Sequence, residues 1–380
     1  MQKMKNLFAA FSVLACLGLL MPGAASAKDH TIGALFPLSG PNATYGDVFM
    51  SGSDLAVEHI NADKMLSGPM SIAYEDSQGL PQPAVVGMTK LVNVTNVPYV
   101  LSAFTGVSKA ISTLGTRNEV VAVNGGGVGP DLAALGEYFW NVIPLVNLEV
   151  RAVMPYLVKE KDIKRVVLIY IDDPFGNSIL DELKTTLNDA GGELAEAMSV
   201  PTTAQQFSGI AAKVRAANPD AVYIASYGAQ QIQIVKQLRD NGVDQQLITY
   251  SGYLVPDALA LPETEGIIAT GQGVNYESED PITKRFVTDY KAKYNRDPTA
   301  YNVNYYNATL LYAILAQALE AEGKEVTGAN LLAKRQEMES FNLVGGTVSF
   351  QSNGTLLFPI QVKTVKNGQL EVLDTIDFGK

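Results

Sequence analysis

The sequence predicts an α/β protein of two similarly built lobes, and three observations carry that prediction. Short apolar, β-prone runs alternate with helically spaced stretches through most of the chain. The alternation runs once to about residue 123 and starts again after Pro144. Near the C-terminus it gives way to β-prone runs separated by Asn-Gly turns. Strands that are apolar throughout, separated by amphipathic helices, belong to parallel sheets covered on both faces. Two rounds of such units imply two lobes of one architecture.

The elements follow in order. Residues 31–38 read as a strand, and residues 45–61 as a helix with Phe49, Leu55, Ala56 and Ile60 on one side. A strand at 70–74, a helix at 83–92 and a strand at 99–103 come next. The first round ends with a helix at 109–117 and a short buried strand at 120–123. The second round opens with a helix at 148–158, a strand at 165–171 and a helix at 177–190. It continues with a helix at 206–217, a strand at 221–225 and a helix at 230–241. Two helices, 281–294 and 301–320, precede the change of pattern. Runs at 347–350 and 356–364 flank Asn353-Gly354, and Asn367-Gly368 leads into 370–373. Asn-Gly between β-prone runs signals a hairpin.

The first 27 residues read as a secretory signal peptide. Lys3 and Lys5 precede an apolar run from Leu7 to Met21, Pro22 and Gly23 break it, and Ala25-Ser26-Ala27 supplies a cleavage site. The run is short for a membrane span. Cys16, in Val13-Leu14-Ala15-Cys16, loosely resembles a lipoprotein processing site, but the run continues past it to the better signal. The expected location is therefore the periplasm.

Removing 27 residues from 380 leaves 353, enough for two ordinary domains. The formal charge of −11 becomes −13 once Lys3 and Lys5 are gone. An acidic surface repels nucleic acid and anionic lipid, so neither is an expected partner. Cys16 is the only cysteine. The exported chain thus has no disulfide, no catalytic thiol and no thiolate-bound metal. With His30 and His59 the only histidines, a Ser-His-Asp triad has a single possible base and His-based zinc sites are nearly excluded. The reading is not an enzyme, with no cofactor and no metal.

The residues also carry a resemblance. Ile32-Gly33-Ala34-Leu35-Phe36-Pro37-Leu38-Ser39-Gly40-Pro41, Tyr45-Gly46, and then Gly52, Ala56 and Ile60-Asn61-Ala62 resemble the branched-chain amino-acid binding proteins of ABC importers. That is the type I periplasmic binding protein family. Asp172-Asp173-Pro174-Phe175-Gly176, Pro219-Asp220-Ala221-Val222, Tyr305-Tyr306-Asn307-Ala308 and the closing segment with Asn353-Gly354 continue the likeness over nearly all of 30–375. The resemblance implies two Rossmann-like lobes joined by three hinge crossings, closing on a ligand held in the cleft between them. It places lobe one at 28–146 with 277–345, and lobe two at 147–276 with 346–380. It also implies a monomer that hands its ligand to a membrane permease.

Site residues follow from the same likeness, each with a structural alternative. Tyr45 is similar to an aromatic that overhangs the ligand in relatives; a turn and helix start is the plain alternative. Thr105 and Ser108, after Phe104, match positions where hydroxyls and a helix N-terminus grip a carboxylate; helix capping alone would also explain them. Gly126 and Gly127, in Asn124-Gly125-Gly126-Gly127-Val128, would let backbone N–H groups approach a ligand oxygen, or simply make a tight turn. Phe175 and Tyr227 match lobe-two aromatics, with core packing as the alternative for Phe175.

Three positions depart from the family. Amino-acid binders carry a Glu or Asp aligned with Ser251, a hydroxyl near Val128, and an Arg near Asn141. An ammonium buried without its carboxylate costs on the order of 3–5 kcal/mol. The expected ligand is therefore a small carboxylate with an apolar or aromatic body, walled by Tyr45, Phe104, Phe175, Tyr227 and Tyr253. Two alternatives stay open. One is a branched-chain or other amino acid held through Asp173. The other is an amide- or urea-type sensor using Ser251 and Asn124.

Overall fold

The computed structural model describes residues 29–378, so the signal-peptide and Cys16 readings lie outside the described residues. The first sheet has five strands: β1 (His30–Phe36), β2 (Met70–Asp76), β3 (Tyr99–Ser102), β4 (Val121–Asn124) and β5 (Phe139–Asn141). They run parallel in the order β2-β1-β3-β4-β5. Helices α1 (Ala43–Ala62), α2 (Pro81–Lys90) and α3 (Thr105–Arg117) make the crossovers. β1, β3 and β4 are apolar nearly throughout and buried, as a strand covered on both faces requires.

The second lobe begins with α4 (Val146–Glu160) and β6 (Arg165–Ile171). It continues through α5 (Pro174–Asp189), β7 (Glu193–Val200), α6 (Ser208–Ala217), β8 (Ala221–Ala225) and α7 (Gly228–Asp240) to β9 (Gln246–Thr249). The short α8 (Pro256–Leu259) and β10 (Ile268–Gln272) follow. The chain then returns to the first lobe with α9 (Pro281–Tyr294), α10 (Ala300–Ala321), α11 (Gly328–Glu337) and the hairpin β11 (Phe341–Leu343) and β12 (Gly346–Val348). It crosses once more to end in β13 (Ile360–Lys366) and β14 (Gln369–Ile376). The second sheet is β14-β13-β10-β9-β8-β6-β7, with the β14-β13-β10 edge antiparallel. The backbone thus passes between the two sheets three times.

α10 shows how the first lobe is built. Sixteen of its 22 residues are buried, so tertiary packing stabilises it from every side. Thr299 and Asn302 form a capping box at its start. Gly52 of α1 lets the two helices touch: a Cβ there would sit 2.3 Å from the Asn302 carbonyl oxygen.

β5, β7, β9 and β10 were not among the predicted strands. β5 and β9 have only three and four residues. β7 is an edge strand with most of its side chains at least partly exposed, so it lacks the apolar run expected of an interior strand. β10 carries Thr270, Gly271 and Gln272, which weaken the strand signal.

The lobe boundary expected at residue 346 falls later. β12 pairs with β11, and the Phe350 ring packs on Trp140 and Phe341 at centroid distances of 6.0 and 5.7 Å. Asn141 donates its N–H to the Gly354 carbonyl, and Leu356 returns one to Asn141. Residues 346–358 therefore stay on lobe one, held by aromatic burial that a hairpin signal does not report. The Asn353-Gly354 turn is real but closes only a single bridge, Phe350 to Leu356. Asn367 and Gly368, both at positive φ, form the full hairpin turn between β13 and β14.

Candidate ligand-binding site

Three helices begin at the carboxyl ends of strands and point into the space between the lobes. α3 follows β3, α5 follows β6 and α7 follows β8. Each carries the positive end of a helix dipole, which favours a negatively charged group; at α5 that group is the capping Asp173 carboxylate and at α7 the Gly228 N–H already meets Tyr45, so α3 is the terminus without a side-chain partner. The space they face is a cavity of about 140 Å³. Drug-sized pockets run to roughly 300–1,000 Å³, so its guest is small.

Lobe one supplies Tyr45, Phe104, Thr105, Gly126 and Gly127 to the wall. α3 starts without a side-chain cap. Phe104, just before it, holds φ +61°, a strained value for a residue with a Cβ and one typical of ligand clamps. The Thr105 hydroxyl accepts the Gly129 N–H at 3.0 Å. Its own proton has no acceptor among the described residues and is free for a guest. Gly126 and Gly127 line the cavity, but their N–H groups are taken by the Asn124 side-chain oxygen, at 3.2 and 2.6 Å. The expected role as a backbone oxyanion cradle is therefore corrected: the glycines keep space open and do not donate. Small residues are needed there, since a Cβ on Gly126 would meet the Tyr305 hydroxyl at 2.7 Å.

Lobe two supplies Phe175 and Tyr227, together with Asp173 and Tyr250. Asp173 caps α5 by accepting the Gly176 N–H at 2.8 Å, and it also accepts the Tyr227 hydroxyl at 2.6 Å. Burial pushes its carboxyl pKa upward despite those bonds. Among the described residues it is the only carboxylate on the cavity wall, and no Lys, Arg or His of theirs lies there. The rings form a continuous chain. Phe104 meets Tyr227 across the cleft at 5.4 Å, Tyr45 meets Phe104 at 5.5 Å, and Phe175 meets Tyr250 at 4.8 Å. Tyr301, at the start of α10, closes the floor.

The lobes are closed on one another. The Tyr45 hydroxyl donates to the Gly252 carbonyl and accepts the Gly228 N–H at 3.2 Å. Burial raises its pKa to about 12, so it remains a donor at neutral pH. Thr44 donates to Asp257 at 2.9 Å, a second bond across the cleft.

Three expected site residues lie elsewhere. Ser108 is fully buried and shares a 2.9 Å hydrogen bond with Ser102 at the end of β3, one turn deeper in α3 than Thr105 and off the cavity wall. Tyr253 is buried within lobe two, its hydroxyl bonded to Thr264 at 2.9 Å. Ser251 points away from the cavity and binds Glu149. A one-turn 3-10 helix at Ser251–Tyr253 produces both displacements. It leaves Tyr250, not its neighbours, facing the guest. Asn141 joins lobe one to the crossing strand, donating to Leu132 and Thr355 and accepting from Asn124.

A family model described as periplasmic binding protein matches residues 30–369. The chain belongs to that family. Its members bind solutes and are not enzymes. Among curated relatives, Leu/Ile/Val-binding protein homolog 3 of Brucella melitensis is 25% identical over 88% of this chain and 90% of its own length. The leucine-, isoleucine-, valine-, threonine- and alanine-binding protein of Pseudomonas aeruginosa is 24% identical, covering 93% of each. Solved structures share the fold. A leucine-binding protein from Thermotoga maritima superposes with TM-score 0.84 at 21% identity, over 92% of this chain and 99% of that one. An ABC-transporter solute-binding protein from R. palustris, in complex with benzoate, gives 0.82 at 18% identity, over 92% and 97%. A branched-chain amino-acid transporter protein from Streptococcus pneumoniae, in complex with isoleucine, gives 0.82 at 21%, over 92% and 99%.

In a periplasmic binding protein the cavity wall is what selects the solute. Asp173, Tyr250 and Tyr301 are among the wall residues that the sequence left out of the main site. Asp173 was legible only as a possible ammonium partner. Tyr250 could have been found from its place directly after β9, at the carboxyl edge of the sheet.

Proposed function

We propose that this protein is the solute-binding component of an ABC importer, capturing a small carboxylate with an aromatic body by lobe closure and passing it to a membrane permease. The observation that supports this most is the uncapped N-terminus of α3, with the free Thr105 hydroxyl proton beside it, facing a small ring-lined cavity. The carboxylate sits on α3 and Thr105. The ring lies among Tyr45, Phe104, Phe175 and Tyr227. Asp173 then faces the far side of the ring, where its buried charge has the Gly176 N–H and the Tyr227 hydroxyl as donors and gains from a further one. A ring hydroxyl supplies that donor, so hydroxylated aromatic acids bind better than benzoate itself. Relatives of this fold have been solved with benzoate and with 4-hydroxybenzoate.

The second reading is an amino acid whose ammonium pairs with Asp173. The position of Asp173 on the wall favours it, and relatives are named for leucine, isoleucine and valine. The amide reading is weaker, because both groups it needs are engaged: Ser251 with Glu149, and Asn124 with Gly126, Gly127 and Asn141.

A thermal-shift series with 4-hydroxybenzoate, benzoate, leucine and isoleucine tests the choice. A ligand at 100 times its Kd adds about 2.7 kcal/mol of stability, a clear rise in Tm. A rise with the hydroxybenzoate above that with benzoate supports the lead reading. A rise with the amino acids alone transfers the assignment to the second.

A further inference from the structure

A second cavity, about 500 Å³, opens on the opposite side of Tyr301 from the first. Hinge residues Ile143, Pro144 and Val274 wall it, with Lys363 of β13 and Leu370 of β14 on the lobe-two side. Its polar lining is buried and incompletely paired. The side-chain oxygens of Gln272 and Asn304 have no hydrogen-bond partner, though the residues are 2% and 1% exposed. The Asn304 amide nitrogen donates to the Gly125 carbonyl, which fixes the side chain's orientation. Lys363 is also buried, at 7% exposed, and its ammonium has only a 3.4 Å contact with the Gln272 backbone carbonyl. Glu149 carries the opposite charge on the same wall, with its oxygens occupied by Ser251 and Thr270. Leu254, Leu259 and Val372 add apolar wall, and the other charged groups on it are engaged: Lys291 pairs with Asp297 at 2.7 Å, and Arg296 donates to the Tyr290 and Ser51 hydroxyls.

Buried polar atoms are almost always satisfied, so two orphaned acceptors and a nearly orphaned donor on one cavity need a partner. We propose that this cavity is a second ligand site, taking a small amphiphile with a neutral primary carboxamide head and an apolar tail. The head follows from the donor count. A carboxylate would satisfy Lys363 but would set its oxygens against the acceptors of Gln272 and Asn304 and beside the Glu149 charge. An ammonium would satisfy the acceptors but oppose Lys363. A carboxamide brings a carbonyl for Lys363 and two N–H donors for Gln272 and Asn304. The tail lies along Leu254, Val274 and Leu370. Because the cavity is lined by both lobes and the hinge, an occupant there favours the closed form, and by linkage it tightens binding in the first cavity.

Isothermal titration of the purified protein with hexanamide, hexanoate and hexylamine tests this. Hexanamide should bind on the order of tenfold tighter than either charged homologue, a difference of about 1.4 kcal/mol. Leu370→Glu, at the partly exposed rim, should abolish that binding without disturbing the core, and Gln272→Leu should weaken it. Thr105→Ala should leave it unchanged, which separates this site from the first. No hexanamide binding at millimolar concentration would overturn the proposal. So would a loss in Thr105→Ala, or an unchanged affinity in Leu370→Glu. None of these outcomes depends on which solute the first cavity takes.

Discussion

Ser251 binds both oxygens of Glu149, its N–H donating to Oε2 at 2.9 Å and its hydroxyl to Oε1 at 2.7 Å. Thr270 adds a third bond to Oε2 at 2.7 Å. A carboxylate from α4, the first helix after a hinge crossing, thus clips the turn that follows β9 to the middle of β10. Residue 251 serves the architecture of lobe two, and the cavity is left to Tyr250.

Removing that clip should be costly. Glu149→Ala strands the donors of Ser251 and Thr270 in the interior and leaves Lys363 without its opposing charge. We expect a loss of roughly 3–5 kcal/mol, read as a lower midpoint in urea unfolding. Glu149→Gln, which keeps an acceptor, should lose clearly less. Equal losses would show that the bonds do not matter.

Thr105→Ala should weaken ligand binding by about 1–3 kcal/mol, the range for losing a hydrogen bond to a charged group. The same change frees the Gly129 N–H, so stability should fall by only about 1 kcal/mol. Calorimetry with an unchanged Kd would remove Thr105 from the grip.

Asp173→Asn separates the two ligand readings. Asn still caps α5, since Asn and Asp are comparable caps. If the guest is an amino acid, losing the charge should cost on the order of 3–5 kcal/mol, or two to three decades in Kd. For a hydroxylated aromatic acid the loss should stay near about 1 kcal/mol. For benzoate, affinity should rise.

Tyr45→Phe deletes the hydroxyl that meets Gly252 and Gly228 across the cleft. The closed form should lose about 1–2 kcal/mol relative to the open form. Small-angle scattering of the ligand-free variant should show a larger radius of gyration than the parent. An identical scattering curve would mean that the latch does not set the resting state.

Lys363 gives a pH signature. Burial lowers its pKa from the ordinary 10.5 to about 8. Between these values the unfolded chain holds a proton there that the folded chain does not, so this group makes stability rise with pH across that window. Below about pH 8 the full cost of the buried cation is present. Lys363→Met should therefore be more stable than the parent at pH 7, by up to roughly 3 kcal/mol. The difference should shrink towards pH 10.5. A constant difference across that range would show that Lys363 is not desolvated.

The sequence alone determined the alternation of strand and helix and the two rounds of it, which follow from local periodicity. Its resemblance to the family pointed to Tyr45, Phe104 and Thr105, which the structure brings together on one cavity wall. Tertiary structure decided what periodicity does not encode. A one-turn helix after β9 exchanged Ser251 and Tyr253 for Tyr250. Asn124 took the glycine N–H groups, and Ser108 turned to Ser102 one helical turn past the grip. Phe350 kept its segment on lobe one by finding Trp140 more than 200 residues away in sequence. Each of these outcomes depends on which buried polar or aromatic group meets a partner distant in sequence, and only the folded chain brings those partners together.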